Sequence, residues 1–271
     1  MLPIALQLYS VRDEAQKDFP GVLAQVKAMG YDGVELAGLY GFAPAEVKKL
    51  LDDVGLKAIS AHVPYEVMIA APEEVLGGYA LLGCSWVVVP YMMEELRFGG
   101  AKYDEAIAGF RTLAQAAKAL GMKLLYHNHD FEFACHGGKF ALDILYETLN
   151  ADLLETEIDT CWVRVAGQDP AAYVRKYTGR APVVHLKDYY MESGSSGGAY
   201  ALIGLAEGEQ PSRNESFRFK HLGAGVQNIP SLLSAAADAQ AQWVVVEQDG
   251  PTEGIEPLEC ARLSIEYLRS L

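Results

Sequence analysis

The residues best suited to catalysis stand at the ends of short apolar segments that are typical of β-strands. His127 and His129 lie at the end of one such segment, and Asp159, His185 and Glu247 each end another. Parallel strands of one barrel have their carboxyl ends on the same face, where these side chains would converge. Mixed imidazole and carboxylate ligands suit Zn, Mn, Fe or Co better than Ca. The pattern therefore predicts a metal enzyme.

Each of these residues, taken alone, has an ordinary structural explanation. A single His on a strand is more often a core residue with satisfied hydrogen bonds than a ligand, and a single Asp can cap the following helix. Four or more such groups at the same end of different strands are harder to explain in this way. Burying ionisable groups costs several kcal/mol unless they are paired or coordinated, so the set as a whole favours metal binding.

The elements that would position these residues form a regular alternation of short β-rich segments and longer amphipathic stretches. This alternation predicts repeated βα units and a parallel sheet. An open doubly wound sheet would usually have a glycine-rich phosphate loop after its first strand, and none follows Tyr9. We therefore expect an α/β fold, a single (β/α)8 TIM barrel over residues 1–271. The eight predicted strands are Ile4–Tyr9, Gly33–Leu36, Ala58–His62, Trp86–Pro90, Lys123–His129, Leu154–Asp159, Pro182–Lys187 and Trp243–Glu247.

Helices are predicted between these strands, and one segment interrupts the alternation of strands and helices. The clearest amphipathic stretches are Phe19–Met29, Ala43–Val54, Tyr103–Leu120, Phe140–Leu149 and Ile229–Ala239. Residues 189–221 include a polar run rich in Ser and Gly, and we interpret them as a long loop after strand seven. Loops of this length are typically lids, binding loops or mobile linkers.

Composition excludes some classes of partner. The formal net charge of −14 argues against a nucleic-acid groove, because such a groove needs clustered Lys and Arg. The first strand begins at Ile4, which leaves no room for a signal peptide, and no apolar run reaches the ~18 residues of a membrane span. We expect a cytoplasmic protein with no membrane partner. The four cysteines lack metal or disulfide spacing and are expected to be free thiols.

The chain resembles the sugar isomerases and epimerases with a xylose isomerase-like TIM barrel, which include tagatose 3-epimerase-like and inosose-processing enzymes. The resemblance covers nearly the whole chain, and each of its motifs is short. They are Leu6-Gln7-Leu8-Tyr9-Ser10-Val11-Arg12, Gly30-Tyr31-Asp32-Gly33-Val34-Glu35, Ser60-Ala61-His62, His127-Asn128-His129, Asp159-Thr160-Cys161-Trp162, Gly179-Arg180, Val184-His185-Leu186-Lys187-Asp188, Leu222-Gly223-Ala224-Gly225 and Val246-Glu247.

The resemblance implies one divalent metal ion, which would be Mn, Zn, Mg, Fe or Co. Similar enzymes bind it through a Glu, an Asp, a His and a second Glu, and the last three correspond to Asp159, His185 and Glu247. Many relatives have Glu-Asn-His where this chain has His127-Asn128-His129, so His127 occupies the position of the first ligand. Whether His127 or His129 is the ligand stays open. The resemblance also implies a homo-oligomer, because relatives are often dimers or tetramers.

The chemistry implied by the resemblance is proton abstraction beside the carbonyl of a small-molecule sugar or cyclitol, through a metal-stabilised enediolate. Fixed positive charge beside the developing oxyanion makes this carbon acid strong enough to ionise. Glu247 is expected to be the base, His129 a second acid or base, and Glu157 an alternative to His129. An isomerase or epimerase is the first interpretation. Because only one of the two glutamates that relatives use is present, a keto-sugar lyase, dehydratase or 3-keto-glycoside eliminase is the alternative.

Five further residues are expected to contact the substrate. His62 corresponds to a substrate contact in the family, and Lys187 is placed to hold an oxyanion, although it could instead pair with Asp188 or Glu157. Glu35 could bind a sugar hydroxyl or satisfy Arg12. Aromatic side chains can pack against a sugar ring, and the two predicted to do so are Tyr9 and Trp162.

Two other classes of protein remain as alternatives. A non-catalytic sugar-binding barrel would keep the aromatic and polar rim but would need no cation. An endonuclease IV-like phosphodiesterase would need more metal ligands and a basic rim facing DNA, which the strong negative charge opposes.

Overall fold

The computed structural model describes residues 2–191 and 217–271, and its centre is a closed barrel of eight parallel strands. Each strand pairs with its neighbours along the chain, and the last pairs with the first. This confirms the predicted (β/α)8 fold. The strands are β1 (Ile4–Gln7), β2 (Gly33–Ala37), β3 (Lys57–His62), β4 (Trp86–Val89), β5 (Lys123–His127), β6 (Glu155–Asp159), β7 (Val183–Leu186) and β8 (Trp243–Val246).

Helices surround the barrel and connect its strands. The α-helices are Arg12–Lys17, Phe19–Met29, Pro44–Val54, Tyr65–Ala70, Pro72–Leu82, Tyr103–Ala119, Ala141–Thr148, Thr160–Val165, Pro170–Lys176, Ile229–Asp238 and Pro257–Ser270. Short 3-10 helices are Leu8–Val11, Glu94–Leu96 and Phe131–Phe133. The five predicted helices are present, each within a residue of its predicted bounds. None of the helices in the part of the chain that the structure describes has the length and apolar character of a membrane span.

The helix ends follow local sequence signals. Gly30 ends one helix with φ 101° and Gly55 another with φ 75°, and this left-handed conformation is one that glycine adopts without steric cost. Their amide N–H groups bond to carbonyls of the last helical turn. Each helix therefore stops shortly before the next strand enters the barrel.

The interior of the barrel is divided into an apolar part and a polar part. The part towards the amino ends of the strands is filled by buried apolar side chains, which are Ala5, Ile59, Trp86, Val88, Leu125, Val183 and Val245. The part at the carboxyl ends of the strands holds buried ionisable side chains instead. These are Glu35, His127, Glu157, Asp159, His185, Lys187 and Glu247. The apolar layer supports the fold, and the polar layer defines the site.

The region after β7 differs from the predicted loop of residues 189–221. Asp188–Met191 pairs in antiparallel fashion with Phe217–Lys220, so both ends of the predicted loop belong to a short two-stranded sheet. The aromatic face of this sheet covers Trp162, because the ring of Phe217 stacks on the indole with 6.1 Å between the centroids. The rest of the predicted loop, residues 192–216, lies outside the described residues.

Candidate active site

Four side chains from neighbouring strands converge at the carboxyl end of the barrel. His127, Asp159, His185 and Glu247 each offer one ligand atom, and these atoms all lie within 4.8 Å of one another. Their strands are adjacent, and Asp159 lies directly opposite His185 in the register of β6 and β7. We call this group the upper cluster. The sequence predicted these four residues as metal ligands, and the fold places them together.

His127 has the surroundings expected of a metal ligand. Both of its ring nitrogens are buried, and neither has a hydrogen-bond partner. Nε2 lies 3.3 Å from Asp159 Oδ2 and 3.6 Å from Glu247 Oε2. Such distances are typical of two ligands that share one ion at about 2.1 Å. Burial, followed by the charges of His62 and His185, holds the pKa of His127 well below its usual range, and the neutral ring is the form that binds metals.

Asp159 is held by the start of the helix Thr160–Val165. Its Oδ1 accepts hydrogen bonds from the amides of Cys161 and Trp162, so Asp159 caps this helix. The side chain of Asn128 bonds to both the amide and the carbonyl of Asp159. Oδ2 is left to face the upper cluster. The capping role and the predicted ligand role therefore use different oxygens of one carboxylate.

Lys187 is a buried cation beside the upper cluster. Its Nζ lies 3.1 Å from Asp159 Oδ2, 3.0 Å from Glu247 Oε2 and 3.0 Å from Asp249 Oδ2. Burial would lower the pKa of Lys187, but these carboxylates outweigh burial and raise it well above its usual value. Lys187 is therefore charged, and it pairs with neither Asp188 nor Glu157. Sequence reasoning missed Asp249, which strand alternation from Glu247 could have suggested.

A second group of ionisable residues lies on the other side of the His185 ring. We call it the lower cluster, and it consists of Glu35, His62 and Glu157. Nε2 of His185 lies 2.7 Å from Glu35 Oε2 and 3.1 Å from Glu157 Oε1. Nε2 of His62 lies 2.6 Å from Glu157 Oε1. His185 therefore contacts both clusters, because its Nδ1 lies 2.9 Å from Glu247 Oε2.

Opposite charges within the lower cluster shift its pKa values. Burial would lower the pKa of His185, yet the carboxylates of Glu157 and Glu35 raise it well above its usual range. The same balance raises the pKa of His62. Burial would raise the pKa of Glu157, but His185 and His62 hold it well below normal. Burial and the nearby charge of Glu157 raise the pKa of Glu35.

His129 belongs to neither cluster, although only one residue separates it from His127. Its ring stacks on Phe131 with 5.4 Å between the centroids and also contacts Tyr91 and Trp162. Burial, followed by the charge of Lys187, lowers the pKa of His129 to about 3. The imidazole is therefore neutral near pH 7. A pKa this low makes the ring a weak proton acceptor, and the neutral ring has no imidazolium proton to donate.

The two predicted aromatic contacts lie in different surroundings. Tyr9 is 44% exposed, and the guanidinium of Arg12 lies 4.1 Å from the centre of its ring. Trp162 is fully buried, with Lys187 Nζ 5.2 Å from its ring centre. Arg12 thus contacts Tyr9 and not Glu35. The predicted roles of Tyr9 and Trp162 in binding a sugar ring stay predictions.

A closed (β/α)8 barrel with buried imidazoles and carboxylates at its strand ends is the arrangement found in TIM-barrel enzymes. Residues 23–271 match the model of the xylose isomerase-like TIM barrel family, and the chain belongs to this family. The resemblance seen in the sequence is confirmed, and the members of this family that the chain matches include enzymes such as inosose dehydratase and 3-keto-D-glucoside 4-epimerase.

Individual relatives have low sequence identity to this chain, but each match covers most of both proteins. An inosose dehydratase from Geobacillus kaustophilus (strain HTA426) is 22% identical over 92% of this chain and 86% of its own length. A sugar phosphate isomerase/epimerase from Parabacteroides distasonis superposes with a TM-score of 0.78 at 22% identity, covering 100% of this chain and 99% of its own. The IOLI protein with a bound zinc atom superposes with a TM-score of 0.71 at 13% identity, covering 99% of this chain and 97% of its own.

Proposed function

We propose that the protein is a divalent-metal-dependent enzyme that isomerises or epimerises a keto-sugar or cyclitol by removing a proton beside its carbonyl. The main support is the upper cluster, where buried donors from four strands meet around the hydrogen-bond-free ring of His127. A buried imidazole without a partner is costly unless something else binds it. A metal ion would provide that missing partner.

The upper cluster would hold one ion through His127, Asp159, His185 and Glu247. His185, whose pKa is raised, would release one ring proton on binding the ion. Two neutral imidazoles and two carboxylates then match the formal charge of a divalent cation, and this donor set suits Zn, Mn, Fe or Co, with Mg as a further candidate. The ion, when bound, would supply positive charge to a substrate oxygen and so favour loss of a proton from the adjacent carbon.

The protein's own residues would hold the substrate and move the proton. Glu247 is the proposed base, because its buried carboxylate faces the upper cluster, where a substrate oxygen would meet the ion. His129 is the proposed second acid or base on another side of the substrate, and its low pKa makes it a weak proton acceptor there. Glu157 is a weaker candidate, because its Oε1 already contacts His62 and His185. Lys187 would keep the carboxylates beside it ionised, and His62 at the rim of the lower cluster would contact a sugar hydroxyl.

A lyase is the second candidate, in which the same proton removal is followed by loss of a leaving group. Two observations favour it. Inosose dehydratase matches the chain over nearly its whole length. The upper cluster has one glutamate, whereas an epimerase that works on both faces of a carbon needs a base on each side. The partner in both cases is a small-molecule sugar. A homo-oligomer, the absence of nucleic-acid or membrane partners and a cytoplasmic location stay predictions.

The test is turnover of a panel of keto-sugars, inososes and 3-keto-glycosides in D2O, followed by NMR. An isomerase or epimerase gives a rearranged product with deuterium at the reacting carbon. A lyase gives an unsaturated ketone and a released hydroxyl compound or water. Failure of every substrate, together with sugar binding that is independent of metal, would favour the non-catalytic sugar-binding barrel.

Glu247→Gln tests the assigned base within the same assay. We expect a loss of at least about a hundredfold in kcat with the barrel still folded, because the amide cannot accept the proton. Glu253→Gln is the matched control, since Glu253 is exposed on the same connection and pairs with Arg218 away from the site. Undiminished turnover by Glu247→Gln would reject Glu247 as the base.

A further inference from the structure

We propose that Glu35 is a positioning residue that fixes the ring of His185 so that Nδ1, and not Nε2, is the metal ligand. The inference rests on the proposed function, because it assumes a metal ion in the upper cluster. The sequence led us to expect that Glu35 contacts a sugar hydroxyl. In this inference Glu35 acts instead by orienting His185. The supporting observations concern the two ring nitrogens of His185 and the surroundings of the Glu35 carboxylate.

The two nitrogens of His185 face different groups. Nδ1 lies 2.9 Å from Glu247 Oε2, within the upper cluster. Nε2 lies 2.7 Å from Glu35 Oε2, within the lower cluster. A ring nitrogen binds a metal only through a lone pair, and a carboxylate beside the other nitrogen retains a proton there. Nδ1 also lies beside a carboxylate, but Glu247 is itself a proposed ligand and would share the ion with Nδ1. Glu35 is not a member of the upper cluster, so its contact keeps the proton on Nε2 and leaves Nδ1 for the ion.

Glu35 is itself held in place on both oxygens. Gln7 Nε2 donates to Oε2 over 2.8 Å, and Ser60 Oγ donates to Oε1 over 2.5 Å. These donors come from the two strands that flank β2. The side chain is also fully buried. A carboxylate so enclosed cannot reach a substrate directly, but it can orient a ring that does bind the ion.

Glu35→Gln removes the charge while keeping the size of the side chain. We expect its affinity for Zn²⁺, measured by competition with a chromophoric chelator, to fall by about ten- to a hundredfold, as when other outer partners of metal-binding histidines are changed. Glu155→Gln is the matched control. Glu155 is also a buried strand glutamate in an ion pair, but it lies with Lys123 at the opposite end of the barrel. Its affinity should match the wild type.

A spectroscopic measurement on the wild-type protein tests the inference without any change at Glu35. In the zinc-loaded protein, imidazole ¹H–¹⁵N correlation spectra should show His185 with a proton on Nε2 and zinc on Nδ1. The His185 ring signal is identified by through-bond correlation with the backbone resonances of His185, because His185→Gln would also remove a proposed zinc ligand. Ser60→Ala removes one donor to Glu35, and it should weaken zinc binding in the same direction but less than Glu35→Gln.

The outcomes separate this inference from the proposed function. Wild-type protein that binds no zinc would reject both. Wild-type protein that binds one zinc, with equal affinity in Glu35→Gln, would reject only the role of Glu35. Zinc on Nε2 of His185 would also overturn it, as would two zinc ions per chain with the second lost in Glu35→Gln, because the lower cluster would then be a metal site in its own right.

Discussion

His127 and His129 show how strongly one residue of separation changes the role of a histidine. Strand alternation predicts that both point to the same face. The strand ends at His127, however, and His129 lies in the turn that follows, among Phe131, Tyr91 and Trp162. His127 faces three other donors, whereas His129 faces aromatic rings. Because their surroundings differ, substitutions of the two residues should have different effects on metal content and turnover.

We expect His127→Ala to lose bound metal and His129→Ala to retain it. Removing His127 takes away one of four ligands, whereas removing His129 takes away only a proposed proton acceptor. The expected loss in kcat for His129→Ala is about 10²-fold, the low end for acid–base catalysis, because the low pKa of His129 makes it a weak proton acceptor. Metal content by elemental analysis, together with kcat, checks both variants. Loss of metal from His129→Ala with retention in His127→Ala would reverse the two assignments.

Glu132 is a buried carboxylate that makes stability depend on pH. It accepts a hydrogen bond from the amide of His129 over 2.7 Å and another from Tyr126. Burial nevertheless raises its pKa to about 7, from 4.5. The folded protein thus retains this proton more strongly than the unfolded chain. The stability from the protonated form is complete below pH 4.5 and is lost as the pH rises through about 7.

The expected result is that Glu132→Gln gains stability relative to the wild type as the pH rises. Gln resembles the protonated carboxyl and does not titrate. Between about pH 5 and pH 8 the difference in unfolding free energy, variant minus wild type, should rise by about 2–3 kcal/mol. Urea denaturation at both pH values measures it. A difference that is constant across this pH range would contradict the raised pKa.

At the scale of elements, the sequence predicted the order of strands and helices but not where some strands end. The helix Phe19–Met29 has the predicted bounds, because a glycine follows it and an Asp caps its start. By contrast, β1 ends at Gln7 and not at Tyr9, since the chain turns into the 3-10 helix Leu8–Val11. Likewise β7 ends at Leu186. Such ends depend on pairing with neighbouring strands, which local sequence does not specify.

The upper cluster was predictable and the lower cluster was not, for a geometric reason. All members of the upper cluster lie at or next to the carboxyl ends of adjacent strands, so a closed barrel alone brings them together. The contact between Glu35 and His185 instead crosses the barrel interior between strands that are not neighbours. It depends on the tilt and stagger of the strands, which a pattern of residue types does not reveal.

The connection after β7 depends on one buried carboxylate. Asp188 accepts hydrogen bonds from the amides of Gly223, Gly225 and Gln227. A Cβ atom on Gly225 would lie 2.1 Å from Asp188 Oδ1 and 2.4 Å from the carbonyl oxygen of Tyr189. No side chain fits there without moving the backbone. The hydrogen bonds that hold this connection on Asp188 thus depend on the absence of a side chain at position 225.

Gly225→Ala should lower the melting temperature, and Gly77→Ala should not. The first change forces the connection away from Asp188, with an expected destabilisation of about 1–3 kcal/mol. Gly77 lies inside the helix Pro72–Leu82 with open space where a Cβ atom would lie, so alanine should stabilise this helix by about 0.5–1 kcal/mol. Thermal unfolding compares the pair. Equal melting temperatures would show that the connection adapts to the extra methyl group.

The whole molecule concentrates negative charge at the mouth of its barrel. Its formal net charge is −14, and the two clusters and their surroundings contain five carboxylates, those of Glu35, Glu157, Asp159, Glu247 and Asp249. Lys187 is the one lysine or arginine that the described part of the chain places in contact with them, and His62 and His185, whose pKa values are raised, add positive charge beside the lower cluster. The carboxylates still outnumber these cations. Like charges in a low-dielectric interior repel strongly. The folded barrel should therefore gain stability from any cation that binds there.

Removing metal should consequently destabilise the entire barrel as well as the site. A ligand that binds only the folded state adds about 2.7 kcal/mol of stability at a free concentration of about 100 Kd, which for a chain of this length raises the melting temperature by about 5 °C. We expect a chelator to lower the melting temperature of the metal-loaded protein by about this amount and added Zn²⁺ or Mn²⁺ to restore it. His127→Ala is the control, because it should respond little to either treatment. Identical melting temperatures with and without chelator in the wild type would mean that the buried carboxylates are balanced by protons held within the barrel, and the proposed metal site would then lose its main physical reason.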